Sequence, residues 1–389
     1  MKNLYDFIKY NNLKLSEIDK AHLLKLDYRY KELYQTYWND WYDSGVSNLD
    51  EEFDKFMKER SNNKKYFPQL KITLEKLTPQ FLNDCLSLRS EFERFDCFLS
   101  QFYIGKIDEM YYQAQWALFP SKNTLKQIND YLHVNIDDKL YNKAVKILED
   151  HPWEDVSEDQ YMSGKDVVPK LQDHIDKLGY DYRAVLNPHL LARMKVIPNK
   201  PELEIKTSAK YSDIDVESLK VHEVEVHCGR RYFGMEQGLY LMLDGLPGRN
   251  TLDEGMAVYN SFHHNPLGVK PNLWWKVAIK VYIAKHLDKD FCKLFDMIKD
   301  ICPTAPDKEI FDNLCRMKRM LKDTRLPGGD MLIQCDYLIG YLMIKKMSEK
   351  MRKDILHYNI GPDQIKLLPE LKKFFELNKF KPITKKDIS

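Results

Sequence analysis

The sequence predicts a mainly α-helical fold with a small β component (α+β), on three observations. Apolar residues recur at helical spacing through most of the chain, in runs bounded by capping residues. Between residues 182 and 207 the pattern changes to short runs separated by Asn187-Pro188 and Pro198-Asn-Lys-Pro201, which suits short strands and turns. The 389 residues are 43% hydrophobic, enough for a packed core, and no apolar run approaches the ~18 residues of a membrane span.

In chain order, Ser16 caps a first helix running through Trp41, and Gly45 ends it. This helix carries an aromatic stripe of Tyr28, Tyr30, Tyr34, Tyr37, Trp38, Trp41 and Tyr42. Such a stripe is expected to pack on the body, the alternative being a docking face for a protein partner. A charged helix spans Leu49 to Arg60, and Ser61 to Lys65 read as a linker. Thr78-Pro79 gives an N-cap with proline at the first helical position, ahead of Phe81, Leu82, Cys85, Leu86 and Leu88 on one face. Ile104 to Leu118, Asp137 to Leu148 and Lys165 to Leu178 continue the helical pattern. Tyr182 to Leu186 and Leu203 to Thr207 read as strands, and Glu202 to Thr207 is placed to align an extended peptide by main-chain bonding. Further helices are expected at 251–264, 271–287, 305–321, 335–350 and 361–377, with a loop at Lys322 to Pro327. His133 and His151 stand alone. His263-His264 follows a helix end and reads as surface polar groups.

Sixty basic residues against 59 acidic ones leave a net charge of +1. That gives no basis for a nucleic-acid partner or a membrane surface. Seven scattered cysteines without a Cys-x-x-Cys pair read as reduced thiols, mostly small core residues, in a cytoplasmic protein. Met1-Lys-Asn-Leu-Tyr-Asp6 lacks the apolar segment of a signal peptide.

The chemistry concentrates in Ser218 to Arg230, which contains His222-Glu-x-x-x-His227. Two imidazoles flanking a carboxylate suggest a zinc site. The usual hydrolase spacing is one residue shorter, so that both histidines share a helix face and the glutamate is the base. At about 100° per residue, five steps leave His222 and His227 roughly 140° apart on a regular α-helix, too far to share a metal. A one-residue π-bulge would restore the shared face, and such bulges gather at functional sites. The zinc reading therefore predicts a bulge between His222 and His227. Val221, Val224 and Val226 also permit a strand, which would send the two histidines to opposite faces. Ser212 and Asp215, spaced as a capping box, favour the helix.

A catalytic zinc takes three protein ligands and leaves a position for water. Glu254, 27 residues after His227, is a candidate third ligand. Thr251 and Glu254 also fit a capping box, and Asp253 competes as ligand. Asp215 or Asp244 is a candidate to orient a ligand histidine.

His222-Glu-x-x-x-His227, Gly245-Leu-Pro247 and Glu254-Gly-Met-Ala-Val258 together resemble the microtubule-associated tyrosine carboxypeptidases and their bacterial relatives with a Gln-Glu-Gly-Leu-Ala motif. The resemblance covers roughly residues 65 to 360, including Tyr66-Phe-Pro68, Leu203 to Asp213, Arg316-x-x-Arg319 and Gly329 to Gly340. The chain departs from the family at Asp253, Met256 and Ile333. The resemblance implies a helical zinc metallopeptidase with a small sheet beside the zinc helix. It implies His222, His227 and Glu254 as Zn2+ ligands, Glu223 as catalytic base, Tyr337 as oxyanion donor, and a protein or peptide C-terminal tail as substrate, with release of tyrosine or another aromatic residue. A carboxypeptidase must also grip a free carboxylate, which suits an arginine fork. Arg316 and Arg319 are the first candidates, with Arg230 and Arg249 also available. The expected division is a helical extension at 1–64, a helical subdomain at 65–160, the catalytic domain at 161–378 and a basic tail at 379–389. An endopeptidase or amidase using the same site, and a non-catalytic binding module stabilised by zinc, remain open alternatives.

Overall fold

The protein is described by a computed structural model covering residues 13–41, 46–132, 136–155, 161–188, 190, 193–197, 200–321, 323–325, 328–329 and 332–388. Tyr42, Gly45, His133, Pro198, Asn199, and Lys322, Leu326 and Pro327 of the expected loop lie outside these residues. As the sequence predicts, the chain is mainly helical with two small sheets.

The first helix, Glu17–Trp41, buries its stripe: Tyr30, Tyr34 and Tyr37 sit in the main core, where Tyr30 packs edge-on against Tyr103. The packing that buries those rings removes them from any partner surface; Tyr28 stays exposed. Asp27 of the same helix is buried and accepts hydrogen bonds from the Tyr103 hydroxyl and from the Tyr240 and Leu241 N–H groups. It thereby satisfies otherwise orphaned amides at the start of the Tyr240–Asp244 helix. The first helix is thus built into the body that carries the functional motif. The main core joins it to the Pro79–Arg94 and Ser100–Leu118 helices, the Arg249–His263 helix and the C-terminal helices.

A second core forms around the Leu273–Lys285, Phe291–Ile301 and Asp307–Met317 helices, and Phe56 from the Leu49–Ser61 helix plugs it. A third lies under the sheets. β1 (Met162–Ser163) pairs antiparallel with β5 (Lys210–Tyr211). β2 (Arg183–Asn187) runs parallel and β3 (Met194–Val196) antiparallel to the central β4 (Glu202–Lys206). Leu203 and Ile205 of β4 point to the Gly164–Lys177 helix and to Val224 and Cys228.

Several expectations are corrected. β4 is paired along both edges, so Glu202 to Thr207 has no edge to offer a peptide; the outer strand on the other side of β4 from β2 is β3. The helix expected at 335–350 ends at Ile344, and Ser348 caps a separate helix, Glu349–Tyr358. The 305–321 run stops at Met317 and continues as a short 3-10 turn, Arg319–Leu321. Helix Lys122–Leu132 went unread because its signal is a reciprocal Ser121–Thr124 cap on a short segment. No described helix is long and apolar enough to cross a membrane.

The Arg249–His263 and Asp336–Ile344 helices touch backbone to backbone at Gly255 and Gly340. A Cβ on Gly340 would run into the Thr251 carbonyl oxygen, and one on Gly255 into the Gly340 backbone. Gly340→Ala is expected to destabilise by about 3 kcal/mol, the upper part of the range for overpacking. Denaturant unfolding measures it, and an unchanged midpoint would contradict the contact.

Candidate metal centre

Ser212 caps the helix that carries the motif, and its capping box with Asp215 is formed. The helix starts as α over Asp213–Leu219, changes to π-helix over Lys220–Cys228, and resumes as α over Gly229–Glu236. The bulge expected from the spacing is therefore a nine-residue π segment. At its end the Gly229 N–H reaches back five residues to the Val224 carbonyl. That register stacks residues five apart, and the His222 and His227 rings come to 5.2 Å between centroids. Val224 and Cys228 pack into the sheet-side core and Val226 into the main core, leaving the polar side to His222, Glu223 and His227. The strand alternative for this run is excluded.

The Arg249–His263 helix lies across that polar side. Its Glu254 Oε2 is 4.0 Å from His222 Nε2 and 3.8 Å from His227 Nε2. One donor atom from each of the three residues falls within 4.8 Å of the others. The opposite ring nitrogens are held from behind. His222 Nδ1 is 3.2 Å from Ser261 Oγ, and His227 Nδ1 is 3.1 Å from Asp253 Oδ1. Both Nε2 atoms are thus aimed at the same carboxylate oxygen. Glu254 Oε2 is itself buried without a hydrogen-bond partner, a costly condition for a carboxylate; the His227 ring draws near at 3.8 Å but too far to donate to it. Two imidazole nitrogens and a carboxylate oxygen are a donor set that suits zinc, whose tetrahedral ligands lie about 3.3 Å apart at ~2.0 Å bond lengths. The residues fit such an ion once the two imidazole–carboxylate separations of 4.0 and 3.8 Å close by roughly half an ångström or more.

Charge is unevenly distributed around this cluster. Burial, then the neighbouring His227, pushes His222 down to about 3. His227 moves the other way: burial opposes its charge, but Asp253 and Glu254 together raise it to about 10. Burial raises Glu223 to about 7, with Glu254 and Asp253 adding to the effect. Asp253 is held well below the usual carboxylate range because His227, Arg230 and Arg249 outweigh its burial. Tyr337 is pushed well above its ordinary value by burial and by the adjacent Glu254, so its hydroxyl keeps its proton through the neutral range.

Not every candidate joins the site. Glu254 is no capping residue, since Thr251 donates instead to Asp336 and the helix begins at Arg249. Arg230 is 1% exposed, pairs with Asp253 at 3.4 Å and donates to the Ile360 carbonyl, so it supports the partner of His227 from within the core. Arg249 also pairs with Asp253. The charge of Arg319 is felt at Lys195 of β3. Arg316 is exposed and its charge registers at both Tyr337 and Lys280. Neither Asp215 nor Asp244 orients a histidine: Asp215 binds Arg193 and Lys270, and Asp244 faces Arg231. Asp253 and Ser261 take that position. His263 stacks on Tyr259 and Tyr341, His151 on Trp274, and Cys228 is a core thiol whose pKa burial pushes far up. Sequence reading missed Ser261 and Lys280. Ser261 lies seven residues after Glu254 and so on the same helix face, a signal that could have found it. Lys280 is the one charged residue within the run Val277 to Ile283, an anomaly of the same legibility.

A helical body with two imidazoles and a carboxylate converging from two packed helices defines a candidate metalloprotein. Residues 117–319, just over half of the chain, match the family described as microtubule-associated tyrosine carboxypeptidase, and the chain belongs to that family. The matched span contains His222, Glu223, His227 and Glu254 and ends before Tyr337. Comparison with curated proteins gives no match.

Asp253→Asn tests the electrostatics. Removing the carboxylate removes the strongest charge that favours the His227 cation, so the His227 pKa should move down from about 10, read by imidazole NMR titration. Arg230 loses its buried partner as well, and a loss of about 3 kcal/mol of stability is expected.

Proposed function

We propose that the protein is a zinc-dependent carboxypeptidase that removes the C-terminal residue, tyrosine or another aromatic, from a protein or peptide tail. Membership of the tyrosine carboxypeptidase family supports the carboxypeptidase class. The observation that carries the zinc reading is the convergence of His222 Nε2 and His227 Nε2 on a buried Glu254 oxygen that has no hydrogen bond. On this reading His222, His227 and Glu254 hold the ion. Bound zinc supplies a Lewis acid for the scissile carbonyl and makes water acidic enough to ionise near neutral pH.

The chain's own residues divide the remaining work. Glu223 follows His222 and points to the same side of the π-helix, where its carboxylate takes a proton from the attacking water and returns it to the leaving amine. Burial tunes it for both tasks, because a group raised to about 7 can accept and release a proton near neutrality. The Tyr337 hydroxyl, protonated and beside Glu254, is suited to donate to the oxygen on which negative charge develops. Ser261 and Asp253 fix the ring planes through Nδ1, which keeps each Nε2 directed inward. A cytoplasmic location fits the reduced thiols: all seven cysteines are free and buried.

Mass spectrometry of peptides incubated with the zinc-loaded protein tests the function. Release of a single C-terminal residue is expected, with at least a roughly hundredfold loss in Glu223→Gln. Internal cuts, or no release at all, would remove the carboxypeptidase reading. Metal uptake gives a second check. His227 is held protonated up to about pH 10, so an ion bound at its Nε2 must displace a proton. Apparent zinc affinity should therefore rise by about tenfold per pH unit between pH 7 and 9, with close to one proton released per ion, as read by calorimetry in buffers of different ionisation enthalpy. The activity should show an acidic limb at or below about pH 7. Glu223 must be deprotonated to act, its raised pKa places that loss as pH falls through about 7, and a nearby cation can only lower it.

A further inference from the structure

Lys280 lies in the middle of the Leu273–Lys285 helix, flanked by Val277, Ile279, Val281 and Ile283, all at most 2% exposed. The lysine is 8% exposed. Its Nζ stands 3.6 Å from the centre of the Tyr337 ring. Among the described residues no carboxylate pairs with it, and no hydrogen bond to its ammonium is formed. Burying an unpaired ammonium costs several kcal/mol and a cation–π contact returns only about 2, so burial, then Arg316, pushes the Lys280 pKa down to about 7, and an anion arriving beside it would restore its charge. The nearest charges do not resolve the imbalance. Glu254 attracts Lys280 but directs Oε2 at the two histidines, and Arg316 repels it. Arg316 is exposed and likewise without an ion-pair partner among the described residues. Lys280 and Arg316, one buried and one at the surface, are therefore both within electrostatic reach of Tyr337 and of each other, and among the described residues neither has an ion-pair partner.

We propose that Lys280 anchors the free C-terminal carboxylate of the substrate, with Arg316 guiding it in from the surface, and that this pair is what restricts the site to chain ends. The inference rests on the carboxypeptidase reading and adds the group that would make it exo-acting. The carboxylate supplies the counter-charge that the fold withholds. The lysine is a point charge on a long stem, held by the Tyr337 ring, so it fixes the distance of the carboxylate from the hydroxyl of the same tyrosine. A substrate with a blocked C-terminus brings no counter-charge to Lys280, forgoes that ion pair and is disfavoured for that reason. Lys280 is thus a specificity-determining residue in the sense that it reads a charge; it transfers no proton and forms no bond.

The test uses the full chain, zinc-loaded, with a fluorescein-labelled peptide ending in tyrosine as free acid and the same peptide as C-terminal amide. Binding is read by anisotropy in the Glu223→Gln background, and turnover as kcat/KM in the Glu223 protein. The expected result is acid bound at least about tenfold tighter than amide, tenfold being 1.4 kcal/mol. Lys280→Met should bring that ratio close to one by weakening the acid alone, Lys280→Arg should retain part of it, and Arg316→Ala should reduce it less than Lys280→Met. Because Met suits an apolar helix and removes a buried charge, Lys280→Met should leave the melting temperature unchanged or higher. A drop in stability with acid and amide weakened equally would assign Lys280 a structural part and overturn the proposal. A preserved acid preference in Lys280→Met would also overturn it while leaving the carboxypeptidase reading intact. If the parent protein cuts peptides internally and treats acid and amide alike, both fall. If it releases single terminal residues but does not distinguish acid from amide in binding, only the anchor falls.

Discussion

The arrangement of this protein depends on a hydrogen-bond register. An α-helix repeats every 3.6 residues, and His222 and His227 are five apart. Only by lengthening the turn over Lys220–Cys228 do both rings reach Glu254. The π segment is packed on two sides, through Val226 on one and Val224 and Cys228 on the other, and its third side is filled by the Arg249–His263 helix. A rare backbone geometry persists when its surroundings over-determine it, and here three layers do so at once.

The same helix that brings Glu254 forward brings Asp253 behind. Asp253 meets His227, Arg230 and Arg249, so one buried carboxylate balances three cations. Glu254 is left free of hydrogen bonds at Oε2, and Glu223 is raised by burial. Asp253 and Glu223, in one small volume, are thereby pushed to opposite proton affinities by their surroundings, the general means by which a protein assigns acid–base roles to similar groups.

Much of this was legible. Helices with a clear apolar face and a recognisable cap, such as Pro79–Arg94 after Thr78, could be read from spacing and composition. The His-Glu-x-x-x-His spacing by itself demands a departure from α geometry, though the nine-residue length of that departure is not readable from it. Tertiary partners were harder. Asp215 was a reasonable candidate to orient a histidine by sequence proximity, but Arg193 and Lys270 claim it, and both come from segments whose position only the folded chain reveals. Likewise β4 read as a strand from its residues, while its central place between β2 and β3 is a property of the whole sheet. Arg230 looked like one of several equivalent arginines because burial leaves no mark on a single charged residue. Lys280 did leave one, being set in an apolar run.

The absence of two side chains carries a mechanical consequence. Gly255 follows Glu254 directly, and Gly340 lies three residues beyond Tyr337; the two helices meet there with backbone against backbone. Side-chain interfaces yield, because rotamers adjust and methyl groups shift. A contact between main chains has no such compliance. The spacing between Glu254 and Tyr337 is therefore set by covalent geometry on each side of a hard stop, and thermal fluctuation must move two whole helices to change it. The site behaves as a calliper with a fixed jaw, whose tolerance lies in atoms the sequence leaves out.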